Sequence, residues 1–195
     1  ELSDKINDYN TVLTQWIQLR QGELSLHIES FRLQDIFDIV ARGRMEFQLK
    51  GIRLCIKPTT AIVKADRILT LFMVNTIADN ARKFTPSGGN VCISAQQQDN
   101  FVEICIHDTG IGMNEQQLLQ LFTRQPLQLG DEAIDTHHQT PQKSHRFGLM
   151  NCKGIIDKYQ KISKLFAVCK IEVESEAGKG TKVCFRLPKG TVRGL

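Results

Sequence analysis

Residues 66–113 read DRILTLFMVNTIADNARKFTPSGGNVCISAQQQDNFVEICIHDTGIGM, and the order of helix, turn, hairpin and glycine loop within them decides the fold. Asp66 can cap a helix that runs to about Phe84 and is closed by the Pro86, Gly88, Gly89 turn. At about 100° per residue, Thr76, Asn80 and Lys83 share one face of that helix, being spaced four and three apart. Ile77, Ala81 and Phe84 lie beside them and should face the core. A carboxamide and an ammonium therefore stand at the edge of a buried stripe. Asn offers a neutral oxygen ligand for Mg²⁺, and Lys a mobile positive charge for phosphate oxygens. An ordinary solvated helix border has the same spacing.

Two strands follow, near Val91–Gln97 and Phe101–His107, joined as a hairpin through Asp99-Asn100. Directly after the second comes Asp108-Thr109-Gly110-Ile111-Gly112-Met113. Glycines lack a Cβ and let a backbone pass close to a flat ligand. A carboxylate held there can accept a hydrogen bond from an exocyclic amine such as that of adenine. A tight turn with an Asp cap fits the same string. The chain contains no GxxxxGK[ST] phosphate loop.

Downstream, residues 114 to 122 read as a short helix, and 123 to 146 are polar, Gln/His-rich and without periodicity. A loop of that length in a compact domain is usually functional or disordered. It ends at Phe147-Gly148-Leu149 and runs into a helix expected from about Gly148 to Tyr159, whose free N-terminal amides suit phosphates. Final strands are expected near Phe166–Glu174 and Lys182–Leu187, with Gly178-Lys179-Gly180-Thr181 between them as a turn. Upstream, Leu24–Phe31 reads as a strand. One helix then carries Leu33, Ile36, Phe37, Val40 and Phe47, and a strand at Ile52–Lys57 is stopped by Pro58. Leu2, Ile6, Tyr9, Leu13 and Trp16 form a heptad-like stripe that suits either packing on its own domain or a dimer seam. The element order favours a helix layer on one face of a mixed sheet.

Composition narrows the partners. A net charge of +4 over 195 residues, with no block of like charges, gives no footprint for nucleic acid. The six cysteines (Cys55, Cys92, Cys105, Cys152, Cys169, Cys184) show no CxxC pairing and are expected as reduced core thiols of a cytosolic protein. No apolar run is long enough for a membrane span. Glu1 opens within a helical pattern, as expected of a segment trimmed from a longer chain, and a membrane-anchored parent is compatible with that.

NARKFTP from residue 80, DTGIGM from 108, Leu121-Phe122, FGL at 147–149 and GKGT at 178–181 occur in order, and together they resemble the N box, glycine boxes and phenylalanine box of sensor histidine kinases. The wider family is the one shared with gyrase, Hsp90 and MutL. LRQGELSLHIESFRLQDIF likewise resembles the exit from a dimerisation helix hairpin into the catalytic domain. The resemblance implies a two-layer α/β sandwich of the Bergerat type, a mixed sheet under a helical layer, preceded by an N-terminal helix. Residues 1–22 would end the dimerisation hairpin, and 23–195 would form the ATP-binding catalytic domain with a lid at about 123–147.

By the same resemblance, Asn80 is the Mg²⁺ ligand and Lys83 a phosphate contact. Asp108 reads the adenine amine with Gly110 and Gly112 beside the base. Gly148 and Leu149 form the lid's hinge at the phosphates, Phe147 ends the lid as a further nucleotide-binding residue, and Thr181 is a secondary contact on the adenine side. Lys153, on the helix after the lid, reaches either phosphates or solvent, while Arg82 and Arg146 read as solvated surface. Implied partners are a histidine-bearing dimerisation domain, a response regulator receiver domain and a second copy of the parent chain, in a cytoplasmic domain.

Three departures stand out. Thr76 occupies the general-base position where such kinases usually carry Asn or a carboxylate, flanked by Asn75 and Asp79. HRFGLMN keeps only Gly148 of the usual GxGLGL. His27 and His107 fall in or at the end of strands and His137, His138 and His145 in the lid, so no acceptor histidine is expected here. A non-enzymatic nucleotide-sensing scaffold of the same fold is the alternative those departures raise. A water-activating ATPase would need a better base than Thr76.

Overall fold

The computed structural model describes residues 26–122 and 141–191, the side chains of 141–147 excepted. In chain order its elements are β1 (Ile28–Arg32), α1 (Leu33–Ala41), α2 (Arg44–Leu49), β2 (Arg53–Ile56), β3 (Ile62–Asp66), α3 (Arg67–Phe84), β4 (Asn90–Gln97), β5 (Phe101–Asp108), α4 (Glu115–Gln120), α5 (Pro141–Gln160), β6 (Ile171–Glu176) and β7 (Gly180–Pro188). Five strands make one sheet in the order β2-β4-β5-β7-β6, and β1 with β3 forms a separate antiparallel ribbon. Within the sheet only β2 and β4 run parallel; the other neighbours are antiparallel. The expected α/β sandwich of a mixed sheet and a helical layer is what forms.

Side chains alternate across a strand, and the sequence uses that alternation to bury one face. Val102, Ile104 and Ile106 of β5 and Val183, Phe185 and Leu187 of β7 are buried against the helices. α3 lies over β4 and β5 and packs against α1 and α5. Its N-terminus is fixed by Asp66, whose Oδ1 accepts from Leu69 N–H at 3.1 Å while Oδ2 accepts from His27 N–H at 3.0 Å. The fully buried Tyr159 hydroxyl accepts the Asp66 N–H at 2.8 Å, which ties the end of α5 to the start of α3.

Several expectations are corrected. β3 was not foreseen: Ile62–Asp66 pairs with β1 and supplies the cap residue of α3 as its last member. The single helix drawn through Leu33 to Phe47 is two, parted at Arg42–Gly43 so that Phe47 can turn back into the core. Lys164–Val168 is a 3₁₀ turn, not strand, because Phe166 stacks on Tyr159 with ring centroids 5.5 Å apart. α5 begins at Pro141, so Gly148 is its eighth residue instead of its first. The thiol expectation also fails in part: Cys105 and Cys184 are joined as a disulfide. They stand directly opposite in the β5–β7 ladder, a proximity that 79 residues of sequence separation conceal. Cys152 and Cys169 do behave as core thiols, with burial pushing both thiol pKa values up to about 12. The helix expected at residues 2–20, the 1–22 boundary and most of the 123–147 lid lie outside the described residues.

Candidate nucleotide site

The site is built where the C-terminal ends of α3 and β5 meet the turn between β6 and β7. Asp108 ends β5, directly opposite Thr181 at the start of β7. It is only 6% exposed. Its Oδ1 accepts from the Gly110 N–H at 2.8 Å and from the Thr181 N–H at 3.2 Å. Burial pushes the carboxyl above the ordinary carboxylate range, and those two amides pull it part of the way back. Both hydrogen bonds land on one oxygen, which orients the group and leaves Oδ2 to meet a donor from outside.

The two glycines of the loop have a different task from the one their sequence suggests. A Cβ on Gly110 would stand 2.5 Å from the Phe84 carbonyl oxygen and 2.7 Å from Asp108 Oδ1. Gly112 has φ +64°, and a Cβ there would collide with the carbonyl oxygen of Glu176. What these glycines admit at close range is the protein's own backbone. They press the loop onto the end of α3 and the β6–β7 turn, and the Gly178 N–H donates to Ile111 O at 2.7 Å across that contact.

Ser175 is the residue that sequence reasoning missed here. Its Oγ accepts from Met113 N–H at 2.8 Å, donates to Gly180 O at 3.0 Å and lies 2.8 Å from Thr181 Oγ1. One hydroxyl thereby binds DTGIGM to GKGT. A lone serine inside a strand carries no motif, so nothing in the sequence marks it.

On α3, Thr76 and Asn80 are buried and share a face, as their spacing requires. The Asn80 carboxamide is 7% exposed, and its Nδ2 has no hydrogen-bond partner among the described residues. A buried polar group without a partner costs about 1–3 kcal/mol, and an N–H donor of this kind suits an acceptor such as a phosphate oxygen. Gly148 of α5 comes down on this face: a Cβ there would lie 2.9 Å from Thr76 Cγ2 and 3.3 Å from Asn80 Nδ2. The four free amides of a helix belong to its first turn. Gly148 lies beyond that turn, so the expectation of free helix-end amides at Gly148 is not met. Leu149 is fully buried in the core. The Phe147 side chain and Arg146 lie outside what is described.

The cations of the site are engaged. Asp79 pairs with Arg82 at 2.6 Å and with Lys83 at 3.0 Å. Burial works to raise the Asp79 pKa, yet the two cations together hold its carboxyl below the ordinary range. Asp79 is thus a weak base, and Arg82 is a paired residue instead of free surface. Lys83 keeps 45% of its side chain exposed and can swing toward an incoming anion. Lys50, also missed, donates from Nζ to the carbonyl oxygens of Arg82 and Lys83 at 2.7 and 2.8 Å, which closes the C-terminus of α3. Lys153 pairs with Asp157 one turn along α5 at 2.9 Å.

The oriented carboxylate at the end of β5 and the buried asparagine of α3 stand in an α/β sandwich of a mixed sheet and a helical layer. The chain belongs to the histidine kinase-, DNA gyrase B- and HSP90-like ATPase family, whose model matches residues 65–191. The chain spans about a fifth of the length of the curated relatives it matches. The circadian input-output histidine kinase CikA of Synechocystis sp. is 28% identical over 191 residues, which is 93% of this chain and 22% of CikA. Two solved structures share the fold. Full-length ShkA in complex with AMPPNP superposes with a TM-score of 0.68 at 20% identity, over 97% of this chain and 38% of ShkA. The histidine kinase ThkA in complex with the response regulator TrrA gives 0.61 at 18% identity, over 95% of this chain and 49% of ThkA.

Proposed function

We propose that this chain binds ATP between α3 and the DTGIGM loop. From there it transfers the γ-phosphoryl group to a histidine on a dimerisation helix hairpin outside residues 23–195, for relay to an aspartate of a response regulator. The observation that carries the reading is the buried Asp108 carboxylate, oriented through one oxygen by the Gly110 and Thr181 amides at the end of β5. The ThkA–TrrA complex supports the response regulator as partner. In this reading the parent is a homodimer and this segment its cytoplasmic domain. Among the described residues no helix is long and apolar enough to cross a membrane.

Asp108 Oδ2 accepts the adenine amine, with Thr181 locking its other oxygen and Gly110 and Gly112 holding the loop in place. Gly148 brings α5 close to Asn80, with Phe147 and Leu149 beside it on that helix, and Lys83 and Lys153 exchange their aspartate partners for phosphate oxygens. Asn80 Oδ1 would hold Mg²⁺, which keeps most of its shell as water and phosphate and would neutralise phosphate charge. Phosphoryl transfer asks chiefly for positioning and charge compensation. That suits a site in which Thr76 is no base and Asp79 is held by two cations.

Those two facts also favour a second reading, a nucleotide-sensing scaffold that binds ATP or ADP without transfer. Calorimetric titration with ATP and Mg²⁺, followed by incubation of radiolabelled ATP with a supplied dimerisation hairpin, separates them. Acid-labile label on the hairpin establishes the kinase, and saturable binding with no transfer establishes the scaffold. Absence of binding at millimolar nucleotide sinks both.

A further inference from the structure

The sheet face that the helices leave open carries sulfur chemistry that nucleotide binding does not use. Cys55 and Cys92 stand opposite each other across β2 and β4, and Cys105 and Cys184 across β5 and β7. Cys92 faces His107, two residues from Cys105 on the same strand, so all four sulfurs share this face. The first pair is unbridged and the second is a disulfide. Along β7, Cys184 sits between Lys182 and Arg186, which point to the same side, and Glu103 lies opposite Arg186.

The bridge is also coupled by register to the nucleotide pocket. Cys105 precedes Asp108 by three residues, and Cys184 follows Thr181 by three. Asp108 and Thr181 are a directly opposed pair of the ladder that the bridge staples, and are joined by the Thr181 N–H to Asp108 Oδ1 bond of 3.2 Å. At about 3.4 Å per residue, roughly 10 Å of paired strand separates sulfur from carboxylate.

We propose that Cys105–Cys184 is a reversible thiol–disulfide site, reduced by a dithiol and re-formed by a disulfide, whose state sets how firmly Thr181 holds Asp108. The consequence for ATP affinity rests on the nucleotide-site reading above. A thiolate of the dithiol attacks Sγ of Cys105, which is half-buried where Cys184 is buried. The Cys105–Cys184 bond breaks, and Cys184 leaves as a thiolate beside Lys182, whose charge favours the leaving group, while Arg186 is held by Glu103 and by Glu172, the residue opposite Cys184 on β6. The second thiolate of the reductant then displaces Cys105 from the mixed disulfide. The protein gains two electrons and two protons, and the reductant loses both to become a disulfide. Reoxidation by a small disulfide runs the same steps backward. In the neighbouring pair, burial and the adjacent Cys55 push the Cys92 thiol pKa up.

The test uses the whole 195-residue chain in buffer stripped of transition metals and supplied with Mg²⁺, because Glu103 and the two sulfurs, within 4.8 Å of one another, could otherwise capture a metal ion. Dithiothreitol and then oxidised glutathione are titrated in. Alkylation mapping follows the bridge, circular dichroism the fold, and hydrogen exchange the segment 178–184. Cys105 and Cys184 should become alkylated together while the fold persists, and exchange at Thr181 should quicken about tenfold. ATP affinity should fall about threefold on reduction. Cys105→Ser/Cys184→Ser should reproduce the reduced state and lose the response. Lys182→Met, which leaves both sulfurs in place, should slow reduction about threefold. A bridge that resists reduction until the chain unfolds, or exchange at Thr181 that is the same in both states, overturns the proposal. Exchange that responds while neither state binds ATP upholds the thiol site and refutes the nucleotide reading instead.

Discussion

Replacing Asp108 by Asn changes one atom's chemistry and little else. Asn keeps an acceptor oxygen for the Gly110 and Thr181 amides, so the grip at 2.8 and 3.2 Å survives. What it loses is the second carboxylate oxygen, replaced by an NH₂ that would face the amine of adenine, donor against donor. A hydrogen bond to a charged group contributes about 1.5–3 kcal/mol, and an unsatisfied donor a similar penalty. At about 1.4 kcal/mol per decade, the loss is at least tenfold in ATP affinity and about a hundredfold at the upper end. Stability should move the other way. Burial raises the Asp108 pKa, so its contribution to stability is fully present below the ordinary carboxylate pKa and is lost as pH rises through the folded value. At neutral pH the Asn variant escapes that cost and should unfold at equal or higher temperature than wild type. Calorimetry with ATP beside a thermal melt reads both effects. An Asp108→Asn chain that binds ATP as wild type does, or that weakens only because it melts earlier, would refute the assignment of adenine recognition to this carboxylate.

Gly112→Ala should destabilise the domain by about 2–4 kcal/mol, from a positive φ and a Cβ driven into the Glu176 carbonyl, read as a fall in the denaturation midpoint. Ser175→Ala leaves the Met113 amide without its partner and should cost about 1–2 kcal/mol, while also weakening ATP binding through Thr181; unchanged affinity would separate the hub from the site. Asp79 is the pH-sensitive group of opposite sign. Its pKa is held low, so its contribution is present above the ordinary carboxylate pKa and disappears as pH falls through the folded value. Asp79→Asn should remove that acid-side loss and free Lys83, which a pH series of thermal melts checks. Asn80→Ala should weaken ATP binding about tenfold when Mg²⁺ is present and far less with chelator, as measured by calorimetry.

Much of the fold was legible because its signals are local. The N-cap at Asp66, the turn after Phe84 and the alternation of β4, β5 and β7 each lie within a few residues, and the helix face of Thr76, Asn80 and Lys83 follows from 3.6-residue periodicity alone. Ordered motifs then made the family readable before any contact was known. The failures share a cause. β3 is five residues whose partner lies 34 positions upstream, and the break at Gly43 answers a core that no local pattern describes.

The sequence by itself determined the long helix α3, the strands β4, β5 and β7, the identity of the site's polar groups and the family, all of which depend on residue type and short spacing. Only the tertiary structure decided what those groups do to one another. It turned Gly110 and Gly112 toward the protein's own backbone, put Ser175 between two loops, engaged Lys83 with Asp79 and capped α3 with Lys50. It alone set Cys105 against Cys184, because strand register is fixed by which face is buried, and burial is a property of the assembled sheet.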